Sequence, residues 1–206
     1  MPKLKNFLFD LDGVLVDACD WHFKTLNLSL KKICNKQIST KDHNTIYNGL
    51  PTKVKLNMLK IDESLHTEII DLKAKYLDEI IQTNCLFDNK KFELLQHLKK
   101  RNGKIACVTN SVKKTPYLIL EKLGIINFFT CIISNEDVKN NKPDPEPYNY
   151  TVELLNINPQ DTLIIEDSDK GFVSAAKSVV SLIWKVPNAN YVTLENFKSI
   201  FEDKND

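Results

Sequence analysis

Five short apolar runs constrain this chain more than any other feature. They cover residues 6–9, 104–109, 130–134, 162–166 and 181–186, each rich in Ile, Val, Leu or Phe and bounded by polar residues. Unalternating runs of this length suit strands covered on both faces, as in a parallel sheet. Amphipathic stretches lie between the later runs. Residues 91–102 carry Phe92, Leu94, Leu95 and Leu98, with Gly103 as the expected helix stop. Residues 115–123 carry Leu118, Ile119 and Leu123, residues 146–155 carry Tyr148, Val152 and Leu155, and residues 170–178 carry Phe172, Val173, Ala175 and Ala176. Strands alternating with helices at this spacing predict βαβ units and an α/β fold with a doubly wound parallel sheet.

Residues 18–86 break the alternation, because they contain no strand pattern. Residues 21–33 carry Phe23, Leu26, Leu28, Leu30 and Ile33, and residues 64–81 carry Leu65, Ile69, Leu72, Tyr76, Ile80 and Ile81 at close to helical spacing. Between them, Pro51 suits the first turn of a helix reaching about Leu59. The expected organisation is therefore a core of residues 1–17 and 87–206, interrupted after its first strand by a small helical domain of residues 18–86. The tail after Asn196 is polar and is expected to fray.

With 206 residues there is room for one core domain and a small insertion. Apolar residues at 42% suffice for a core, and a net charge of +1 calls for neither nucleic acid nor an acidic membrane as partner. No segment has the length of a membrane span, and the short apolar start, interrupted by Asp10 and Asp12, does not read as a signal peptide. Cys19, Cys34, Cys85, Cys107 and Cys131 are odd in number and form no C-x-x-C pair, which argues for a reducing, cytoplasmic setting.

Chemistry concentrates where the apolar runs end. Phe7-Leu8-Phe9-Asp10-Leu11-Asp12-Gly13 delivers two carboxylates to a strand's C-terminal end, where ligands of open α/β sheets bind, and Gly13 allows the sharp turn that lets Asp10 and Asp12 flank one point. Two such acids can divide the work, one attacking and one handling protons, or serve a metal alone. Thr109-Asn110-Ser111 ends the second run and offers donors for phosphate oxygens, although the same residues cap helices for structural reasons. Lys142-Pro143-Asp144-Pro145 places a lysine on a stiffened loop, where it can supply positive charge, although a lone lysine is usually a solvated surface charge. Ile164-Ile165-Glu166-Asp167-Ser168 again ends a strand in acids. Acids in this number repel one another without a cation, and hard oxygen ligands suit Mg2+. A parallel sheet gathers all four segments at one edge.

These four segments, in this order, resemble the four motifs of the haloacid dehalogenase superfamily over nearly the whole chain. Glu166-Asp167-Ser168-x-x-Gly171-x-x-x-Ala175-Ala176 is similar to the branch that holds phosphoglycolate phosphatases, sugar phosphatases and β-phosphoglucomutases. The resemblance implies a Rossmann-like core with a helical cap, and an Mg2+-dependent phosphatase of a small phosphorylated metabolite, monomeric or a weak homodimer. It implies Asp10 as nucleophile and Asp12 as acid and base, with Thr109, Asn110 and Lys142 on the phosphate. Asp10, Asp12, Glu166 and Asp167 would hold the metal. The presence of Asp12 favours phosphate over dehalogenation chemistry. Substrate choice is expected from the cap, with His22, Asn48, Gly49, Thr52, Lys53 and Lys55 as candidates, while His22 also suits plain helix packing and Gly49-Leu50-Pro51-Thr52 a plain helix start. The sequence departs from the branch where Ser178-Val179-Val180 stands in place of a glycine turn, and where Thr52 or Lys53 stands near an expected arginine. The second departure weakens the alternative of a β-phosphoglucomutase-like sugar-phosphate mutase. A non-catalytic phosphometabolite-binding protein is disfavoured, since such a protein has no physical reason to keep both Asp10 and Asp12.

Overall fold

A computed structural model describes residues 4–202. Two compact units emerge, one built from the chain up to Asp17 and from Leu86 onward, the other being Ala18–Cys85.

The first unit is a five-stranded, all-parallel sheet of β1 (Asn6–Phe9), β2 (Ile105–Val108), β3 (Cys131–Ile133), β4 (Thr162–Glu166) and β5 (Leu182–Lys185), in the order β3-β2-β1-β4-β5. Each strand lies within one of the five apolar runs. β1 is central, with Phe7 paired to Ile105 on one side and Leu163 on the other. Because side chains alternate along a strand, Leu8 and Phe7 serve different cores. Leu8 packs with Ala106, Val108 and Ile164 against Tyr148 and Val152 of α7 (Glu146–Leu155) and Ala175 of α8 (Asp169–Lys177). Phe7 meets the edge of Phe197 of α9 (Leu194–Phe201) with ring centroids 5.8 Å apart. α9 in turn packs on α5 (Asn89–Lys99), and α6 (Lys114–Lys122) joins β2 to β3. Helices on both faces make the sheet doubly wound, as expected.

Caps set where these helices begin. Asp88 accepts the Lys91 N–H at 3.1 Å, Ser168 the Gly171 N–H at 3.1 Å and Thr193 the Asn196 N–H at 3.2 Å. The last of these corrects the expectation of a frayed tail. Residues 194–201 are helical because Phe197 is buried and Glu202 holds both His97, at 2.7 Å, and Arg101 of the segment after α5. The expected tail residues beyond 202 lie outside the described residues. A second correction concerns Gly103. The left-handed residue after α5 is Asn102, with φ 57°, and Gly103 is needed instead because a Cβ there would sit 1.9 Å from the Lys5 carbonyl oxygen.

The second unit follows β1 in sequence as an insertion and is helical: α1 (Cys19–Cys34), α2 (Thr40–Asp42), α3 (Thr52–Met58) and α4 (His66–Asn84). Its core gathers Leu26 and Leu30 from α1, Leu56 from α3, Ile69 from α4, and Ile38 and Ile61 from the links between them. Leu28, which the sequence assigns to the α1 stripe, is exposed, because it faces away from the neighbours Leu26 and Leu30. α2 and the π-helical turn His43–Tyr47 have no counterpart in the sequence reading.

Candidate active site

The sheet brings the C-terminal ends of β1, β2 and β4 side by side, and the residues just beyond them converge. Asp10 is held in register by its N–H, which donates to the Ile165 carbonyl at 3.0 Å. The chain then turns at Gly13, whose φ of 83° is left-handed and whose N–H donates to Val16 O at 2.7 Å. A Cβ on Gly13 would fall 2.0 Å from Asp167 Oδ2, so glycine is required here both by conformation and by the neighbouring acid.

Lys142 is the centre of the cluster. Its Nζ donates to Asp10 Oδ1 at 2.7 Å, to Glu166 Oε1 at 2.6 Å and to Val108 O at 2.7 Å. The side chain is buried, and Nζ lies 4.7 Å from the centroid of the Tyr148 ring. Asn110 sets the Lys142 backbone in place, with Nδ2 donating to Lys142 O at 3.0 Å and Oδ1 accepting the Lys142 N–H at 3.1 Å. Thr109 is buried, its N–H donates to Ile133 O at 2.9 Å, and its Oγ1 accepts the Ser111 N–H at 3.1 Å. Ser111 Oγ donates to Asp12 Oδ2 at 3.1 Å. Glu166 has no exposed surface, and Tyr148 OH donates to its Oε1 at 2.6 Å.

Charge is unbalanced in this cluster. Burial pushes the Asp10 carboxyl well above the usual range, Lys142 pulls it back, and Glu166, Asp167 and Asp12 push it further up. Burial, and then the charge of Glu166, push the Asp167 carboxyl up to about 6. The two acids around Lys142 hold its ammonium above the usual lysine range despite burial. Burial and Glu166 keep the Tyr148 hydroxyl protonated. Oxygens of Asp10, Glu166 and Asp167 lie within 4.8 Å of one another, and Asp167 Oδ1 is buried without a hydrogen-bond partner. An all-oxygen set with excess negative charge and an unsatisfied carboxylate oxygen fits a hard divalent cation.

Residues 7–185 match the family described as haloacid dehalogenase-like hydrolase. The chain belongs to this family. Among its relatives, the pyrophosphatase PpaX of Oceanobacillus iheyensis is 28% identical over 215 residues, covering 99% of this chain and 95% of that one. The phosphorylated carbohydrates phosphatase of Thermotoga maritima is 29% identical over 183 residues, covering 85% and 81%. The solved structure of β-phosphoglucomutase from Clostridium difficile superposes with a TM-score of 0.78 at 25% identity, covering 95% of this chain and 96% of that one. The protein is thus a haloacid dehalogenase-like hydrolase with phosphatase relatives, and no helix among its described residues is long and apolar enough to cross a membrane.

The core residues singled out in the sequence of this hydrolase, namely Asp10, Asp12, Thr109, Asn110, Lys142, Glu166 and Asp167, all lie at the C-terminal edge of the sheet. Those of the insertion belong to the second unit. His22 lies in α1, with Nδ1 3.5 Å from Lys73 Nζ, Gly49 turns with φ 71°, Thr52 opens α3 and Lys53 is exposed. The buried lysine of α3 is Lys55, beside His43. His43 stacks on Phe23 at 4.7 Å, and burial and then Lys55 push its imidazole down to about 4. Sequence reasoning missed Tyr148 as a member of the core cluster, and it named Ser111 in the second motif as a donor for phosphate oxygens, not as the partner of Asp12. Tyr148 read as one apolar position of a helical stripe, and the signal that could have found it is its hydroxyl, which a buried tyrosine must partner.

Proposed function

We propose that this hydrolase is a Mg2+-dependent phosphatase of a small phosphorylated metabolite, working through a phosphoryl group carried on Asp10. The observation that carries the reading is the buried contact of Lys142 Nζ with Asp10 Oδ1 at 2.7 Å, beside an acid cluster with an unsatisfied oxygen on Asp167. A carboxylate poised on an ammonium, among further acids, suits attack on phosphorus once the negative charge is offset.

Asp10, Asp167 and the Asp12 backbone carbonyl would hold Mg2+, with Glu166 taking part directly or through water. Bound there, the ion supplies positive charge against the repulsion between a carboxylate nucleophile and a phosphate dianion. Asp10 forms the new bond to phosphorus as the ester bond breaks, and the leaving oxygen takes that electron pair and a proton from Asp12. Asp12, oriented by Ser111 Oγ at 3.1 Å, then removes a proton from the water that attacks the phosphoryl group, releasing inorganic phosphate and Asp10. The positive charge of Lys142 and the Thr109 hydroxyl steady the phosphoryl oxygens, and Asn110 fixes the backbone that carries Lys142. The helical insertion acts as the cap that selects the substrate, through His22, Gly49, Thr52 and Lys53.

The names of the relatives support sugar phosphates and pyrophosphate as the first compounds to try. The test is phosphate release from these compounds, phosphoglycolate and nucleotides, with Mg2+ or with chelator. We expect release to require the metal and to fall by more than about a thousandfold in Asp10→Asn. Release indifferent to both chelator and substitution would remove the reading, and an isomerised sugar phosphate without free phosphate would replace it with the mutase.

A further inference from the structure

We propose that Tyr148 is a positioning residue of the phosphoryl-transfer site: its hydroxyl holds Glu166 so that Lys142 stays on Asp10. This deepens the phosphatase reading and rests on it.

An ammonium has three protons to donate, and Lys142 uses all three, on Asp10 Oδ1 at 2.7 Å, Val108 O at 2.7 Å and Glu166 Oε1 at 2.6 Å. Two buried carboxylates therefore compete for one cation. Glu166 does not rely on Lys142 alone. Its Oε1 also accepts the Tyr148 hydroxyl at 2.6 Å, and its Oε2 accepts the Asp167 N–H at 3.2 Å. The hydroxyl meets part of Glu166's demand, so the ammonium remains centred between the two acids. Without it, Oε1 loses one of two strong donors in a site closed to water, and Lys142 is drawn toward Glu166 and away from Asp10.

Packing gives no reason for the hydroxyl. The ring sits among Leu8, Val108, Ile133, Val152 and Ala175, where phenylalanine would fill the same space. A hydroxyl buried in such surroundings is costly unless partnered, and its partner here is Glu166. The ring itself supports the ammonium at 4.7 Å, so Tyr148 touches Lys142 with its face and Glu166 with its tip.

The test uses the whole chain with Tyr148→Phe, which keeps the ring, and Tyr148→Leu, which loses both ring and hydroxyl. We expect Tyr148→Phe to lower kcat about tenfold at saturating Mg2+ while KM stays within about twofold, because the lost interaction matters at the transition state. In a Glu166→Gln background the same substitution is expected to change kcat by less than about twofold, since the two groups act as one unit. A purely structural role would lower the unfolding midpoint without this coupling. Independently of activity, proton NMR of the wild type should show a slowly exchanging, low-field hydroxyl resonance that vanishes in Tyr148→Phe and shifts in Glu166→Gln. A wild-type kcat in folded Tyr148→Phe, an undiminished effect in the Glu166→Gln background, or a resonance insensitive to Glu166→Gln would each overturn the proposal. If Tyr148→Phe does not fold, the resonance in the wild type and in Glu166→Gln still decides it. If no phosphomonoester is hydrolysed by the wild type, the phosphatase reading fails, and the resonance still reports separately whether Tyr148 holds Glu166.

Discussion

Gly171 lies in the first turn of α8, a position where alanine would ordinarily favour the helix by roughly 0.5–1 kcal/mol. Here the opposite sign is expected. A Cβ at Gly171 would fall 2.1 Å from the Glu166 carboxylate, which is fully buried and bound to Lys142 and Tyr148. Overpacking of this kind costs about 1–3 kcal/mol, which exceeds the propensity gain. Gly171→Ala should therefore be destabilised in urea, and a displacement of about 1 Å at the carboxylate should lower kcat on the order of a hundredfold. A variant as stable and as active as wild type would show that the carboxylate has room to move. Gly171 and Tyr148 also mark what the sequence does and does not disclose at this scale. Asp10, Asp12, Glu166 and Asp167 are legible because an acid has no packing reason to end an apolar run. Tyr148 is hidden because periodicity reports only its ring; Gly171 is visible in the fourth motif, but the reason for it is not, because the group that excludes a side chain there approaches from another element.

Elements built on burial were legible, and those built on capping or on distant contacts were not. The strand β1 and the helix α7 lie at the expected residues, since an uninterrupted run or a regular stripe states which faces are covered. The turn His43–Tyr47 escapes because nothing in it repeats; it follows α2, which is started by Ser39 accepting the Asp42 N–H at 3.0 Å. The residues after Asn196 read as a fraying tail because the stretch is short and half polar, whereas the stability of α9, which includes the first part of that stretch, comes from elsewhere. Phe197 meets Phe7 at 5.8 Å and Trp184 at 6.2 Å, with the Arg101 guanidinium 5.4 Å above its ring. On that account Phe197→Ala should cost about 3–5 kcal/mol in chemical denaturation, as a large core truncation does, whereas Phe197→Leu should cost less than about 1.5 kcal/mol. A loss below about 1 kcal/mol for the alanine variant would mean that α9 frays after all.

At the scale of the molecule, each unit has a core of its own. The sheet unit closes around Leu8, Val108, Ile164 and Tyr148, and the insertion around Leu26, Leu30, Leu56 and Ile69. Every acid of the oxygen cluster, Asp10, Glu166 and Asp167, belongs to the sheet unit. Binding stabilises only those openings that destroy the site, and by RT ln(1 + [L]/Kd), about 2.7 kcal/mol at a hundred times Kd. An opening of the insertion alone leaves the acids in place, so Mg2+ has no leverage on it. Hydrogen exchange at saturating Mg2+ should therefore slow at the amides of β1, β2 and β4, while the most protected amides of α1 and α4 keep their metal-free rates. Equal slowing in both units would mean that the insertion opens only when the sheet does, one cooperative body in place of two. No slowing anywhere would mean that the acids do not hold Mg2+, and would remove the metal from the mechanism.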